Sequence, residues 1–237
     1  MEEGRALSTL KILSAAFSYF SDPIPSNFTS ILSHLHTSTK RKYTVAHHDS
    51  IPPSHIDALV QYASLHPFDV TAIRTALGAA IAFGALLRVS ELLALRRDDL
   101  QLSPTHLKIT VAKAKNDQFG EGRETFIEVP EDSITLSIFH SYGDKVPASP
   151  WLFPSISHPD LPLSADTFRK DLTRLCASAG VPRMTPHQLR SGGANESIRR
   201  GTPLEEVQRR GRWKSLAGIT PYVKDTLEAQ GGALALP

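Results

Sequence analysis

The sequence predicts a mainly α-helical protein with one small antiparallel β-sheet. Three observations carry that expectation. Apolar residues recur at helical spacing along much of the chain, and four of these stretches open on a residue able to cap, Ser54, Asp69, Ser164 and Thr185. Two short runs, "HLKITVA" and "ETFIEVP", alternate and are rich in β-formers, with the turn material "KNDQFGEGR" between them. The chain has 237 residues, 41% of them hydrophobic, which is enough for a sizeable core.

Taken in order, residues 7–20 have helical periodicity and stop at "SDPIPSN", where two prolines break them. A second short helix fits 26–37. The polar, basic, Pro-bearing stretch 39–54 reads as a linker, so the chain divides into 1–48, a partial N-terminal helical segment with its linker, and 49–237. Ser54 caps a helix to about Ser64, with Asp57 at its N3 position. Asp69 caps the long apolar helix "VTAIRTALGAAIAFGALL", and a shorter helix, "SELLALRRDDL", follows Arg88. Beyond the hairpin come helices at 132–142 and 164–179, the latter stopped by Gly180. Thr185 and Pro186 open the next helix, since Pro suits the first helical position, and Gly201 ends it. Short helices at 203–210 and 220–229 complete the chain.

Composition narrows the function. The single Cys176 excludes a disulfide framework within the chain and a Cys-based zinc site, so an intracellular, reducing setting is expected, nucleus or cytoplasm equally. The N-terminus is acidic before it is apolar, unlike a secretory signal, and no apolar run approaches the ~18 residues of a membrane span. Net charge is only +2, yet 183–214 holds eight Lys/Arg against three Glu. Such local basic faces fit a polyanion groove, although a solvated helix face is the commoner meaning of any one run.

Within that basic stretch, His187 and Arg190 stand at i and i+3 on one helix and share a face. Arg88 follows an apolar run where its head can reach a cleft. Two converging guanidiniums suit a phosphodiester, because each offers a fork to the non-bridging oxygens and binds the more highly charged transition state preferentially. Tyr222 is the candidate nucleophile. With an ordinary pKa near 10, only about 0.1% of a tyrosine is ionised at neutral pH, so it needs nearby cations and a proton acceptor, a part His187 can take. Lys115, on the hairpin, can protonate the leaving sugar oxygen. Trp213 offers an indole N–H and a flat apolar body. No step in this chemistry needs a metal or another cofactor. Each residue taken singly has a plainer explanation: Tyr222 and Trp213 as packing, His187 as a helix-start residue, Arg88 as the partner of Glu91 or Asp98. The glycine pair 192–193 fits either tight helix packing or a close backbone approach to a ligand.

In joint order and spacing these residues resemble the tyrosine recombinase, or phage integrase, family, over about Ile51 to Leu227. "GALLRVSELLALRRDDL" is similar to the family's first box, which places the first catalytic Arg on Arg88 and the supporting acid on Glu91. "AKNDQFGEGR" is similar to the hairpin that carries the catalytic Lys, implying Lys115, with Lys113 as runner-up. "TPHQLRSGGA" resembles the second box with His187 and Arg190, "GRWKS" the His-or-Trp position with Trp213, and "YVK" the tyrosine with Tyr222. The resemblance implies the family's catalytic domain over 49–237. It also implies cutting and rejoining of double-stranded DNA through a 3′-phosphotyrosyl link, and a homotetramer on paired sites with no membrane involvement.

Two features depart from the family pattern. The material before the linker resembles only the last helix or two of the usual N-terminal DNA clamp, and the tail after Tyr222 is short. A truncated, catalytically silent DNA-binding remnant therefore stays open, as does a relaxing activity like that of type IB topoisomerases. "RSGGA" and "KNDQFG" are more similar to recombinases of eukaryotic mobile elements than to bacterial chromosome-resolving enzymes.

Overall fold

The computed structural model describes residues 7–20, 26–42, 50–111 and 123–219. The chain falls into two compact units, Met1–Asp49 and Ser50–Pro237. In the first, α1 (Leu7–Phe20) packs on α2 (Ser26–Lys42). Helix α2 runs through the basic residues expected to begin a linker. Lys and Arg are good helix formers, and no proline intervenes before position 52.

In the second unit, α3 (Pro53–Leu65) leads into α4 (Val70–Gly84). Ser54 does not cap α3. The cap position falls on Pro52, and Pro53, with no N–H to satisfy and a preset φ, takes the first helical place. Asp69 does cap α4, accepting from the Ala72 N–H at 2.8 Å. Helix α4 is apolar on nearly all sides and is enclosed accordingly, with residues 72–79 all buried. Around it pack α3, α6 (Ile134–Lys145), α7 (Ala165–Ser178) and α8 (Pro186–Arg199). The main core includes Ile73, Leu77, Leu92, Phe153, Phe168 and Leu189. Between α4 and α7, Arg74 and Asp171 form a buried ion pair at 2.7 Å.

The helix expected from Ser90 to Leu100 is cut short. Only α5 (Val89–Leu93) forms. The chain is then drawn against residues 150–152: the Leu152 N–H donates to the Leu95 carbonyl at 2.9 Å, and the Arg97 N–H to that of Pro150 at 3.0 Å. Asp99 accepts from the Arg96 N–H at 2.7 Å, closing a 3-10 turn rather than extending the helix. That turn delivers β1 (Leu100–Leu102), a strand absent from the sequence expectation. It pairs antiparallel with β2 (His106–Val111), which pairs in turn with β3 (Arg123–Glu128), in the order β1-β2-β3. The expected hairpin is therefore present, with Val111 opposite Arg123, while its turn lies outside the described residues.

Ser133 and Ser164 cap α6 and α7. Thr185 opens α8 with a capping box: its N–H donates to Gln188 Oε1 at 2.9 Å, and its hydroxyl oxygen accepts from the Gln188 N–H at 3.3 Å. The last described α-helix is α9 (Leu204–Gly211), followed by a 3-10 turn at Leu216–Gly218. The helix expected at 220–229 lies outside the described residues. Among the described residues no helix is long and apolar enough to cross a membrane.

Four helices end on a left-handed residue: Leu86 after α4 (φ 54), Gly180 after α7 (φ 68), Gly201 after α8 (φ 86) and Arg212 after α9 (φ 58). In each case the following N–H returns to a carbonyl five residues back, at 3.0 Å for Leu87, Val181 and Thr202 and 3.1 Å for Trp213. Glycine adopts this conformation freely, whereas a side-chain-bearing residue pays about 1–2 kcal/mol there. The two that are not glycine, Leu86 and Arg212, meet at the candidate site.

Candidate active site

Arg88 is the residue before the first turn of α5, and Glu91 stands three residues on. The Glu91 carboxylate therefore folds back on Arg88 twice. Oε2 accepts from the Arg88 backbone N–H at 2.9 Å, and Oε1 from Nη1 of its guanidinium. The Arg88 side chain keeps 26% exposure while Glu91 keeps 1%, so the carboxylate is internal and the guanidinium partly open to solvent.

Arg190 reaches the same carboxylate from α8. That approach depends on the glycine pair. A Cβ on Gly193 would lie 2.0 Å from the Phe83 carbonyl oxygen, and one on Gly192 would lie 3.0 Å from Ile51. Tight helix packing thus accounts for both glycines. With α8 close against the end of α4, Arg190 Nη1 donates to the Leu86 carbonyl at 2.6 Å and lies 3.7 Å from Glu91 Oε2. Its Nη2 donates to the Gly211 carbonyl. The Trp213 ring covers the guanidinium, with Arg190 Cζ 4.1 Å from the ring centroid, a cation–π contact. The indole itself is seated by absent side chains, since a Cβ on Gly211 or on Gly218 would strike it.

A third cation, Arg212, completes the group, and the sequence reading did not single it out. Its Nη2 donates to Glu91 Oε2 and to the Leu86 carbonyl, each at 2.9 Å, and its Nη1 to the Arg210 carbonyl at 2.6 Å. Three guanidiniums thus surround one buried carboxylate. Burial alone would raise the pKa of Glu91. The charge of Arg212 and the hydrogen bonds from Arg88 and Arg212 outweigh it and hold the carboxyl below its usual range. For Arg212, burial lowers the pKa while Glu91 pulls the other way. The basic "GRW" next to the predicted Trp213 is a weak sequence signal for Arg212. Nothing in the sequence marks the left-handed turn at Leu86.

His187 is exposed at the second position of α8, so sharing a face with Arg190 does not give the two the same surroundings. Lys113, Lys115 and Tyr222 lie outside the described residues. Much of the remaining arginine in this stretch is already engaged. Glu196 holds Arg199 and Arg200 at 2.7 and 2.6 Å, and Arg210 donates to the Gly84 carbonyl at 3.1 Å. A cleft of about 1120 Å³ between β3 and helices α8 and α9 is lined by Arg123, Arg200 and Arg209, but also by Glu124, Glu196 and Glu206, so it is mixed in charge. The basic excess read from the sequence is therefore partly internal wiring. Among the described residues no group of His, Cys, Asp and Glu is placed to hold a metal ion.

The phage integrase family profile matches residues 50–228. The chain belongs to the phage integrase family. A tyrosine recombinase of Pseudothermotoga lettingae is 27% identical over 163 residues, covering 68% of this chain and 50% of that protein, so the chain spans about half the length of that curated relative. Among solved structures, the XerH site-specific recombinase in a post-cleavage complex with palindromic difH substrate matches with a TM-score of 0.62 at 17% identity, over 79% of this chain and 52% of that one. XerA recombinase matches with 0.61 at 17% identity, over 97% and 92%. The Tn1549 transposon integrase in complex with transposon right-end DNA matches with 0.57 at 13% identity, over 100% and 87%. At such identities the likeness is one of fold, and the fold is that of the tyrosine recombinase catalytic domain.

Proposed function

We propose that this chain is a DNA strand transferase that cuts and rejoins double-stranded DNA through a 3′-phosphotyrosyl intermediate, acting as a site-specific recombinase or integrase. One observation carries the reading: within a phage integrase family chain, Arg88 and Arg190 converge on a single buried carboxylate, Glu91, with the Trp213 ring over Arg190. Fixed guanidiniums so arranged favour an oxyanion whose charge grows as the phosphorus is attacked. Of the three, Arg88 has the open side chain and is the first to meet a phosphate.

In the proposed reaction the Tyr222 oxygen bonds to phosphorus as the bond to the 5′ oxygen breaks. His187 takes the tyrosine proton, and Lys115, or Lys113 in its stead, protonates the departing 5′ oxygen. Attack of a 5′-hydroxyl from a partner duplex reverses the step and releases Tyr222. The ester conserves the bond energy, so rejoining needs no nucleotide. Glu91 supports Arg88, and Trp213 holds Arg190 from above. Double-stranded DNA is the substrate, and exchange between two duplexes calls for four protomers on paired sites.

The test is covalent capture. The protein is incubated with a degenerate pool of nicked duplexes and resolved on a denaturing gel, with Tyr222→Phe as control. A Tyr222-dependent adduct is expected, and sequencing its DNA gives the site. Adduct formation by the Phe variant would remove Tyr222 as nucleophile, and salt-dependent binding with no adduct would leave a DNA-binding protein without chemistry. Arg88→Ala and Arg190→Ala should each slow adduct formation about 10²- to 10³-fold, and losses below about threefold would sink the two-arginine reading. Light scattering of the protein–DNA complex checks the tetramer.

A further inference from the structure

We infer that Arg212 is a positioning residue of the strand-transfer centre: its buried guanidinium fixes the Glu91 carboxylate, and Glu91 in turn fixes Arg88 in the orientation that meets the phosphodiester. The inference rests on the reading of the site given above and adds a residue to it.

The backbone gives the first argument. The positions after α7 and α8 that take the left-handed conformation are Gly180 and Gly201, with nothing near a would-be Cβ. The equivalent position after α9 is Arg212, at φ 58, where glycine would sit without strain. Something must offset the backbone cost of arginine there, and its contacts supply it. The side chain is 3% exposed and bridges the Glu91 carboxylate, the Leu86 carbonyl and the Arg210 carbonyl. The planar fork lets one nitrogen, Nη2, serve both Glu91 and Leu86 while Nη1 serves Arg210. So little exposure also means that Arg212 does not itself touch DNA, and its influence passes through Glu91.

Connectivity gives the second argument. Arg190 stands 3.7 Å from Glu91, outside hydrogen-bonding distance, so Arg212 makes the direct bond between the α5 carboxylate and the segment that bears Trp213. The Leu86 carbonyl accepts from Arg190 at 2.6 Å and from Arg212 at 2.9 Å, which sets the two guanidiniums side by side. Two adjacent cations repel, and the charge of Glu91 between them offsets that repulsion. Glu91 is thus faced by Arg88 from its own helix, Arg190 from α8 and Arg212 from the end of α9. On the other helices against α5, Arg74 of α4 and Asp171 of α7 pair with each other.

The experiment compares Arg212→Gly, Arg212→Lys, Glu91→Gln and the double variant Arg212→Gly/Glu91→Gln in the full chain. The readouts are single-turnover adduct formation at saturating nicked duplex, taken from the captured pool, and DNA affinity by fluorescence anisotropy. Arg212→Gly should slow the reaction on the order of ten- to a hundredfold, the size expected of a group that orients another. Affinity should stay within about threefold, and Arg212→Lys should recover part of the rate through its remaining charge. In the Glu91→Gln background, Arg212→Gly should cost less than about threefold more, because the two act in series. A rate for Arg212→Gly within threefold of wild type, or its full loss repeated in the Glu91→Gln background, would overturn the inference. A second measurement needs no activity: carbon-detected titration of the Glu91 carboxyl in wild type and in Arg212→Gly. The carboxyl should titrate at higher pH in the variant, and an unchanged titration overturns the inference even if no adduct forms with any DNA. Absence of wild-type adduct with a shifted titration would instead count against the strand-transfer reading alone.

Discussion

Gly193→Ala and Gly143→Ala make the same chemical change in two helices and should move stability in opposite directions. In a helix interior, alanine is favoured over glycine by about 0.8–1.0 kcal/mol. At Gly143, exposed on α6, nothing lies within 4 Å of the added methyl, so that gain should appear nearly undiminished. At Gly193 the methyl would sit 2.0 Å from the Phe83 carbonyl oxygen, 2.9 Å from its carbonyl carbon and 2.8 Å from Leu86 Cδ2. Two of these three atoms are backbone and cannot rotate away, so α8 and α4 must part by roughly 1 Å, with an overpacking cost of typically 1–3 kcal/mol or more. Separation also strains the 2.6 Å bond from Arg190 to Leu86 that crosses the same interface. After the alanine gain is subtracted and the strained Arg190 bond is added, net destabilisation of about 1–2 kcal/mol is expected, a fall in Tm of roughly 2–8 °C for a domain of this size, against a rise of a few degrees for Gly143→Ala. Thermal and urea unfolding of the two variants measure both. A Gly193→Ala protein as stable as wild type would mean that the α4–α8 contact is looser than described and that glycine there does not bring Arg190 to Leu86.

Removing one partner of the buried Arg74–Asp171 pair, as in Asp171→Ala, should cost about 3–5 kcal/mol in urea unfolding, whereas replacing both with apolar residues of similar volume should recover most of it. Because the folded-state pKa of Glu91 is depressed, its contribution to stability is fully present above the unfolded value of 4.5 and is lost as pH falls through the folded pKa. Wild type should therefore lose stability below pH 4.5 more steeply than Glu91→Gln, and parallel curves would refute the internal ion cluster. Glu91→Gln should also separate two effects in the DNA assays. Losing the negative charge behind Arg88 should raise affinity by about two- to threefold, while the loosened Arg88 lowers the cleavage rate. Cys176 is 1% exposed and burial pushes its thiol pKa up, so reaction with an aromatic disulfide reagent should be slow and should follow unfolding across a urea series; rapid labelling of the native protein would refute its burial.

Capping chemistry was the most legible part of the fold. Asp69, Ser164 and Thr185 begin their helices where a short polar side chain can reach a free N–H, and the hairpin declares itself by alternation. Two departures from the expectation are local, Pro53 taking the place expected of a Ser54 cap and α2 continuing through Lys42, but the largest is decided at a distance. Residues 94–99 carry helix-compatible residues, but their backbone groups are claimed by Pro150 and Leu152, some fifty residues on. The candidate site follows the same division. Arg88, Glu91, Arg190 and Trp213 were visible through order and spacing, and the structure brings those four together. Arg212 and Leu86 were not, because their roles depend on a left-handed turn that the local sequence does not favour at either position.

That division has a physical basis. A site that stabilises an anion must hold several cations close together before the anion arrives, and like charges packed in a protein interior destabilise it. An exposed counterion would be displaced by solvent and would leave the cations mobile. A buried carboxylate at their centre stays in place, and Glu91, at 1% side-chain exposure, has three guanidiniums arranged around it. The carboxylate also weakens the attraction for an anion, since it cancels one positive charge. What the arrangement gains is orientation: the Arg88 backbone N–H holds Glu91 Oε2 in place, and Oε1 of the carboxylate so fixed holds the partly open Arg88 guanidinium. Rate enhancement by a fixed charge depends on its being fixed before the reaction. If the proposed strand transfer holds, the left-handed Leu86 and Arg212 serve the charge cluster as well as helix termination. The strain at each is balanced by the guanidinium contact it makes possible, and substituting glycine at Arg212 would relax the backbone while loosening the charge that the site exists to hold still.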